Sequence, residues 1–275
     1  MIWKKLKKSK QAIFLLVFLF GIAVLGIIGP WIIPNDPFEA NILAKFEGFS
    51  WEYPLGTDYL GRCVFSRLIF GIRPTFYLSL TTMIGTLFIG TVMGILAGYS
   101  RGFVDEIIMR LVDVMLSFPS QIMIFAIVAL LGVNVLNVIL ATIIIKWAWY
   151  ARMVRTKVLQ YREKNYVLYS RCVGTGQWYI LTKHIVPSIS SELIVLATLD
   201  MGWSIINIST LSFLGLGVQA PMPEWGAMLS EAKNVMMTHP LQMFAPAMAI
   251  IMVVSAFNML GDIMRDIFDP KEVLK

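Results

Sequence analysis

Six apolar runs separated by polar stretches dominate the chain. A transmembrane helix needs about 20 mostly apolar residues, because the hydrocarbon core of a bilayer is about 30 Å thick. The third run reaches that length only if residues 106–118 join Ile122–Leu131, so we predict a helix kinked at Pro119. The pattern predicts an all-α integral membrane protein with six transmembrane helices, over residues 12–33, 75–99, 106–132, 138–150, 187–211 and 241–263.

The polar segments between these runs indicate the topology, because cytoplasmic loops of membrane proteins are enriched in Lys and Arg. Five of the 23 Lys and Arg residues lie in residues 34–73 and 212–240, which we predict to be outside. We therefore expect the N- and C-termini to be cytoplasmic. Seventeen lie in the segments predicted to be inside, which are the N-terminus, residues 100–118, residues 151–186 and the tail.

The same pattern divides the chain into four parts. Residues 1–33 form the cytoplasmic N-terminus and the first transmembrane helix, and residues 34–73 form an extracytoplasmic segment. Within that segment, Val64–Phe70 is predicted to be a short helix lying on the surface. Residues 74–265 form the main transmembrane domain, and residues 266–275 form a cytoplasmic tail.

Composition agrees with a membrane protein. Hydrophobic residues make up 57% of the chain and charged residues 15%, against about 25% charged in soluble domains. The net charge of +6 is spread between apolar runs rather than gathered on one face, so we expect contact with membrane lipid and not with nucleic acid. Cys63 and Cys172 fall on opposite sides of the predicted membrane, so no intrachain disulfide is expected.

Three features inside the apolar runs call for packing or chemistry. Gly90, Gly94 and Gly98 lie on one face of the second helix and predict close approach of another helix. Asp200 lies near the middle of the fifth run, where a carboxylate normally faces a water-filled path or a partner. A place in a cation pathway and a hydrogen bond in helix packing are equally open for it. Lys146 is predicted to snorkel towards the membrane surface beside two tryptophans.

The longest polar stretch of the second half is Tyr161–Pro187. Its pattern predicts a short helix broken at Gly174–Gly176, then a second amphipathic segment, and then a proline that opens the fifth transmembrane run. Most membrane helices reverse direction within a few residues. A cytoplasmic turn of this length therefore predicts a surface that contacts a partner.

Motifs for catalysis are missing from the sequence. There is no G-x-x-x-x-G-K-[ST] loop, so we expect this chain to bind no ATP, and no H-E-x-x-H, paired C-x-x-C or G-x-S-x-G. The two histidines, His184 and His239, fall on opposite sides of the predicted membrane. We therefore expect no catalytic residues, no bound cofactor and no closed metal site, and a membrane enzyme is disfavoured.

The stretch Tyr161–Pro187 resembles the coupling loop of permease subunits in binding-protein-dependent ABC importers. That loop reads Glu-Ala-Ala, three residues, Gly, and then a hydrophobic-Pro close. Gly174 and Ile185-Val186-Pro187 match in spacing, whereas Leu168-Tyr169-Ser170 stands in place of Glu-Ala-Ala. The resemblance implies that the residues coupling this chain to an ATPase are Tyr166, Leu168, Ser170, Arg171, Gly174, Gly176, Ile185 and Pro187.

Further motifs over nearly the whole chain resemble the dipeptide/oligopeptide/nickel permease family. They are Pro54–Asp58, Gly61-Arg62, Ser66–Leu68, Ala97–Tyr99, Met109-Arg110 with Asp113, Ala151–Arg155, Ser212–Gly217, Pro223–Gly226, Leu260–Asp262, Arg265-Asp266 and Asp269-Pro270. Cys63 replaces the aspartate usual after Gly-Arg. The resemblance implies a type I ABC importer permease fold. It also implies an outer docking surface that includes Gly56, Asp58, Arg62, Glu224 and Trp225.

Three stretches look most like the nickel-type second permease subunit: Trp147–Arg155, Val195–Gly202 and Pro240–Phe244. This resemblance implies import of nickel, or of a chelate of nickel or another divalent metal, across the cytoplasmic membrane of a prokaryote. The implied partners are a homologous second permease subunit, two cytoplasmic subunits that bind ATP and Mg, and an extracytoplasmic substrate-binding protein.

Two alternatives remain open from the sequence. One is a di- or oligopeptide permease subunit with the same architecture. The other is a stand-alone secondary transporter or channel, which would show inverted repeats or broken helices at matched positions. No such repeat is clear in the sequence.

Overall fold

The computed structural model describes residues 9–268, and most of this range is helical. The lysines within residues 4–8, which are predicted to be cytoplasmic, and the Asp269-Pro270 motif lie outside this range. Five helices are long and apolar enough to cross a membrane, or six if the bent pair α3–α4 counts as one span. The helices are α1 Lys10–Ile32, α2 Val64–Ser100, α3 Gly102–Leu116, α4 Ser120–Leu131, α5 Val135–Arg162, α6 Asn165–Cys172, α7 Gln177–Ile180, α8 Val186–Phe213, α9 Trp225–Ala232 and α10 Leu241–Phe268.

Helix α2 is longer than the sequence pattern predicts. The segment Val64–Phe70, predicted as a separate surface helix, is the first part of α2, which runs for 37 residues through Pro74. Its polar residues Ser66, Arg67 and Thr75 are buried. They gave this stretch a loop-like composition, but they face the interior of the chain, where other polar groups satisfy them.

The third predicted span is two helices rather than one kinked helix. Helices α3 and α4 meet at an angle of 87° across Ser117–Pro119. Proline lacks the backbone N–H that would continue the hydrogen-bond ladder, and it disfavours a helical conformation for Phe118 before it. With no helical bond carried across these three residues, the chain turns sharply instead of bending.

Glycines set the distance between α2 and α5. A Cβ added at Gly90 would lie 2.7 Å from the carbonyl oxygen of Trp147, and one at Gly94 would lie 2.6 Å from that of Ala151. At Gly98 it would lie 2.8 Å from Cβ of Val158. Only glycine permits this contact along just over two helical turns. The contact fixes α5, the helix that carries Lys146.

Helix α8 lies at the centre of the packing. It packs against α2, α9 and α10 in the largest hydrophobic cluster, to which Met201 and Ile205 contribute. Farther along the helix, Ile208 and Leu211 pack against α4 and α5 in a second cluster. The break between α3 and α4 lies next to this second cluster, and it leaves space between α5 and α8.

Candidate functional site

A cavity of about 640 Å³ occupies the space between the α3–α4 break, α5 and α8. Its volume lies within the range of about 300–1,000 Å³ that is typical of small-molecule sites. Most of its wall is apolar, with a few polar groups. The lining residues are Met115, Leu116, Phe118, Ser120, Gln121, Ile145, Lys146, Trp149, Tyr150, Leu196, Leu199, Asp200, Trp203 and Asn207.

Asp200 and Lys146 meet across this cavity. The ammonium Nζ of Lys146 lies 3.3 Å from Oδ1 of Asp200, and the two side chains are 19% and 13% exposed. Within residues 9–268 the other oxygen of Asp200, Oδ2, accepts no hydrogen bond of normal geometry, although the hydroxyl of Tyr150 lies near this carboxylate. The structure corrects the prediction of a snorkelling lysine, because the close packing of α5 beside α8 gives the ammonium an acid partner inside the chain.

Polar groups elsewhere in the wall are also incompletely paired. The side-chain amide of Gln121 donates to Oδ1 of Asn207 and so joins α4 to α8. Oε1 of Gln121 and the hydroxyl of Tyr150 are buried, and neither has a hydrogen-bond partner in the described part of the chain. Buried polar groups normally have a hydrogen-bond partner, so these two atoms mark a polar part of the cavity wall.

A second buried group of charges, the arginine–carboxylate cluster, consists of Asp58, Arg62, Arg67 and Glu231. Arg62 bonds Asp58 at 2.7 Å and Glu231 at 2.6 Å, and Arg67 bonds Glu231 at 2.7 Å. Both arginines are at most 3% exposed. The cluster joins the 34–63 segment, α2 and α9 into one unit.

The residues predicted to form an outer docking surface are buried. Glu224 is 0% exposed and accepts hydrogen bonds from Thr75 and Ser209, while its other oxygen caps the start of α9. The indole of Trp225 donates to the carbonyl oxygen of Leu68 at 3.0 Å. Glu224 and Trp225 therefore present little surface of their own, and the docking role stays a prediction.

The other three predicted docking residues are buried as well. Asp58 and Arg62 belong to the arginine–carboxylate cluster, and Gly56 makes a turn with a φ of +74°. A docking partner would therefore contact neighbouring residues that these side chains hold in place. Sequence reasoning missed Glu231 as a member of the cluster, because nothing in the local pattern around it marks its partners.

The break predicted in Tyr161–Pro187 is present after α6. Gly174 has a φ of +77°. The amide of Gly174 donates to the carbonyl of Arg171, and that of Thr175 donates to the carbonyl of Ser170, each at 3.0 Å. This pair of bonds forms a Schellman cap, which requires a left-handed residue after the helix. Gly176 follows and begins α7.

Apolar side chains are exposed on this segment. Tyr166 and Leu168 are 43% and 44% exposed, whereas Ile185 is fully buried. The hydroxyl of Ser170 lies 3.3 Å from Nε2 of His184, which braces α6 against the following helix. Arg171 stacks over the ring of Tyr99. Larger exposures occur at Tyr169, Val173, Trp178 and Tyr179.

Pro187 does not open a new element, contrary to the prediction. Helix α7, the π-helical turn Leu181–Ile185 and α8 form one continuous helix, Gln177–Phe213. Proline removes one hydrogen bond from the helical ladder, and a π-helical turn is a common local adjustment next to such a gap. The second half of the polar segment, from Gln177, is therefore on the same helix as Asp200. Gln177 and Asp200 are about 35 Å apart along it, at 1.5 Å per residue.

Residues 90–273 match the family described as binding-protein-dependent transport system inner membrane component. Residues 1–48 match the N-terminal transmembrane domain of oligopeptide transport permease C. The first match covers all of the helices that line the cavity and the whole 161–187 segment.

Curated relatives resemble the chain over almost its full length. The metal-staphylopine import system permease protein CntC of Staphylococcus aureus is 41% identical, over 98% of this chain and 93% of the relative. The nickel transport system permease protein NikC of Escherichia coli is 39% identical, over 93% and 92%. The dipeptide transport system permease protein DppC of Alkalihalophilus pseudofirmus is 38% identical, over 98% and 88%.

A solved structure supports the fold. An inward-facing MetNI methionine ABC transporter chain superposes with a TM-score of 0.59 at 18% identity, covering 74% of this chain and 97% of that one. The all-α type I importer permease fold is thereby confirmed. The chain belongs to the family of binding-protein-dependent transport system inner membrane components, as a multi-pass permease subunit of an ABC importer.

Proposed function

We propose that this chain is the permease subunit of an ATP-driven importer that moves nickel, or another divalent metal, as a chelate. The observation that carries the proposal is where the nickel-type stretches fall. Trp147–Arg155 contributes Trp149 and Tyr150 to the cavity wall, and Val195–Gly202 contributes Leu196, Leu199 and Asp200. Residues that line the path of a cargo are the ones expected to vary with its identity.

The relatives support the importer and leave two cargo classes. CntC and NikC are named for metal import, whereas DppC is named for dipeptide transport at a similar identity of 38%. The alternative cargo is therefore a di- or oligopeptide. The nickel-type stretches at the cavity wall favour the metal proposal, whereas Asp200 alone does not discriminate between the two cargoes, because Lys146 cancels its charge.

Assembly follows from the family. The chain would pair with a homologous second permease subunit, receive cargo from an extracytoplasmic binding protein and contact two cytoplasmic ATPases. The exposed aromatic side chains Tyr169 and Trp178 suit the 161–187 segment to ATPase docking, and buried Val167, Ile180 and Ile185 hold it to the rest of the chain. ATP and Mg would be bound by those subunits.

Coupling would pass along one helix. When bound ATP draws the two ATPases together, the docked 161–187 segment would move with them. Because Gln177–Phe213 is continuous, that motion would reach Asp200 and the cavity wall without an intervening hinge. Access to the cavity would thereby switch between the two faces, which is an allosteric coupling between two distinct sites.

The test is transport by the complete importer in proteoliposomes. We expect ATP-dependent accumulation of radiolabelled nickel supplied with a chelator, and no competition from an excess of dipeptides or oligopeptides. ATPase subunits that lack the P-loop lysine serve as the control. ATP-driven uptake of peptide without nickel uptake would overturn the metal proposal, and nickel uptake without the ATPases would instead favour a secondary transporter or channel.

A further inference from the structure

We propose that Lys146 and Asp200 form a dipolar recognition site for a metal chelate that carries its own carboxylate together with an amine. This inference rests on the proposed function and narrows its cargo. A bare hydrated dication would not be a cargo of this site.

The cavity wall has no net charge to bind a bare dication, which is the first reason to infer a chelate. Among its 14 lining residues, Lys146 and Asp200 are the only ones that carry a formal charge at neutral pH, and their charges cancel. In residues 9–268 no group of three or more His, Cys, Asp or Glu side chains could hold a metal ion. Moving a dication out of water is costly without compensating negative charge. The ammonium of Lys146 would add repulsion at the one carboxylate present.

Lys146 and Asp200 can each make hydrogen bonds beyond the one that joins them, which is the second reason to infer a chelate. A lysine ammonium has three donors, and Lys146 makes a single hydrogen bond, to Oδ1 of Asp200 at 3.3 Å. Oδ2 of Asp200 accepts none within the described residues. A guest carboxylate can accept from Nζ of Lys146 while a guest amine donates to Oδ2 of Asp200. The pair is therefore built to hold both ends of one dipolar guest.

The rest of the wall suits an organic chelator. Trp149 and Trp203 are 44% and 62% exposed and present aromatic faces. The unpaired hydroxyl of Tyr150 and Oε1 of Gln121 offer additional polar contacts. A hydrated ion makes few favourable contacts with aromatic rings, whereas the carbon skeleton of a chelator packs against them.

The experiment compares neutral isosteres in the complete reconstituted importer. The probe is nickel supplied with histidine, which has one carboxylate and one amine, and the readout is nickel taken up per ATP hydrolysed. We expect Lys146→Met, Asp200→Asn and the double variant each to lower this ratio about ten- to a hundredfold, in line with losing a charged hydrogen bond. The thermal melt and assembly of the double variant should match those of the unmodified importer.

The double variant separates recognition from a structural ion pair. Removing one member of a structural pair leaves an orphaned charge, but removing both relieves it. Restoration of nickel uptake in Lys146→Met/Asp200→Asn would therefore overturn the inference. Equal uptake of nickel from histidine-free buffer by the unmodified importer would also overturn it. Failure of the unmodified importer to transport any form of nickel would instead count against the proposed function.

A matched control lies on the same two helices. Lys157 and Glu192 join α5 to α8 at 2.8 Å, and they lie away from the cavity wall. We expect Lys157→Met/Glu192→Gln to leave uptake per ATP unchanged. An equal loss in this variant would show that any α5–α8 ion pair matters, and it would overturn the recognition role.

Discussion

Two groups of buried charge in this chain differ in the number of ion pairs they make and in the space beside them. In the arginine–carboxylate cluster, Arg62 bonds two carboxylates and Glu231 bonds two arginines, and the adjoining space is about 20 Å³. At the cavity pair, Lys146 and Asp200 share one contact beside about 640 Å³ of space. Within residues 9–268 both groups contain a buried atom without a hydrogen-bond partner, such as Glu231 Oε1 and Asp200 Oδ2. The first group joins parts of the fold, and only the second has room beside it for a guest.

The difference teaches that burial of charge alone does not mark a functional site. Both groups interrupt apolar surroundings, and the sequence offered one or more members of each as candidates for function, namely Asp58, Arg62 and Asp200. The space beside them separates the two groups, because about 20 Å³ adjoins the cluster and about 640 Å³ adjoins the pair. Variants can test this distinction, since the cluster should control stability and the pair should control transport.

The largest effect on stability is expected at the cluster. Glu231→Ala removes the shared partner of Arg62 and Arg67 and leaves two buried arginines with one carboxylate, Asp58; breaking a buried pair in this way costs about 3–5 kcal/mol. We expect a large drop in melting temperature and in the yield of purified protein. Glu106→Ala is the control, because its pair with Arg110 at 3.7 Å is exposed and such pairs contribute little. Equal melting of the two variants would contradict the structural role of the cluster.

A smaller loss is expected at the α2–α5 contact. Gly94→Ala would place a Cβ 2.6 Å from the carbonyl oxygen of Ala151, and overpacking of this kind costs about 1–3 kcal/mol. Gly21→Ala is the control, since no atom lies within 4 Å of its added Cβ and alanine favours a helix over glycine. Thermal unfolding in detergent should therefore shift down for Gly94→Ala and not for Gly21→Ala. Shifts of the same sign and size would contradict the close contact.

The smallest effect on stability is expected at the proposed coupling segment. Gly174→Val forces a β-branched residue into a left-handed conformation, φ +77°, although the space around it is open. We expect near-normal assembly, with ATP hydrolysis that no longer drives uptake.

Gly132→Val is the matched control for this prediction, because Gly132 also has a left-handed φ, +91°, with open space around it, and lies outside the 161–187 segment. The measurement is nickel uptake per ATP hydrolysed for both variants. Full coupling in Gly174→Val would rule out the coupling role of the Schellman cap.

Features set by local pattern could be predicted from the sequence. The apolar runs located the membrane-spanning helices because bilayer thickness fixes their length. The spacing of Gly90, Gly94 and Gly98 indicated a packing face, and Gly174 marked the end of α6. Asp200 was visible as a carboxylate near the middle of an apolar run.

Features set by distant contacts could not be predicted. Glu231 is 169 residues from Arg62 and 164 from Arg67, and Lys146 is 54 from Asp200. No local periodicity reports such pairs. For that reason the sequence places Asp58 and Arg62 of the cluster in an outer docking surface, and it predicts a snorkelling role for Lys146.

The effect of each proline on its helix is also set by distant contacts and could not be predicted from the sequence. Pro119 separates two helices by 87°, Pro74 lies inside an unbroken helix, and Pro187 lies in a continuous helix behind a π-helical turn. The missing N–H is common to all three. The packing of neighbouring helices decides whether the chain turns, and that packing is not encoded in the few residues around each proline.

The central claim is that the cavity beside Asp200 is the path of a metal chelate. Its most direct test is ATP-driven uptake of radiolabelled nickel with histidine by the complete importer, with and without Asp200→Asn. The account predicts a drop of about tenfold or more in uptake per ATP while folding and ATP hydrolysis are retained. Unchanged nickel uptake and unchanged cargo preference in Asp200→Asn would contradict it.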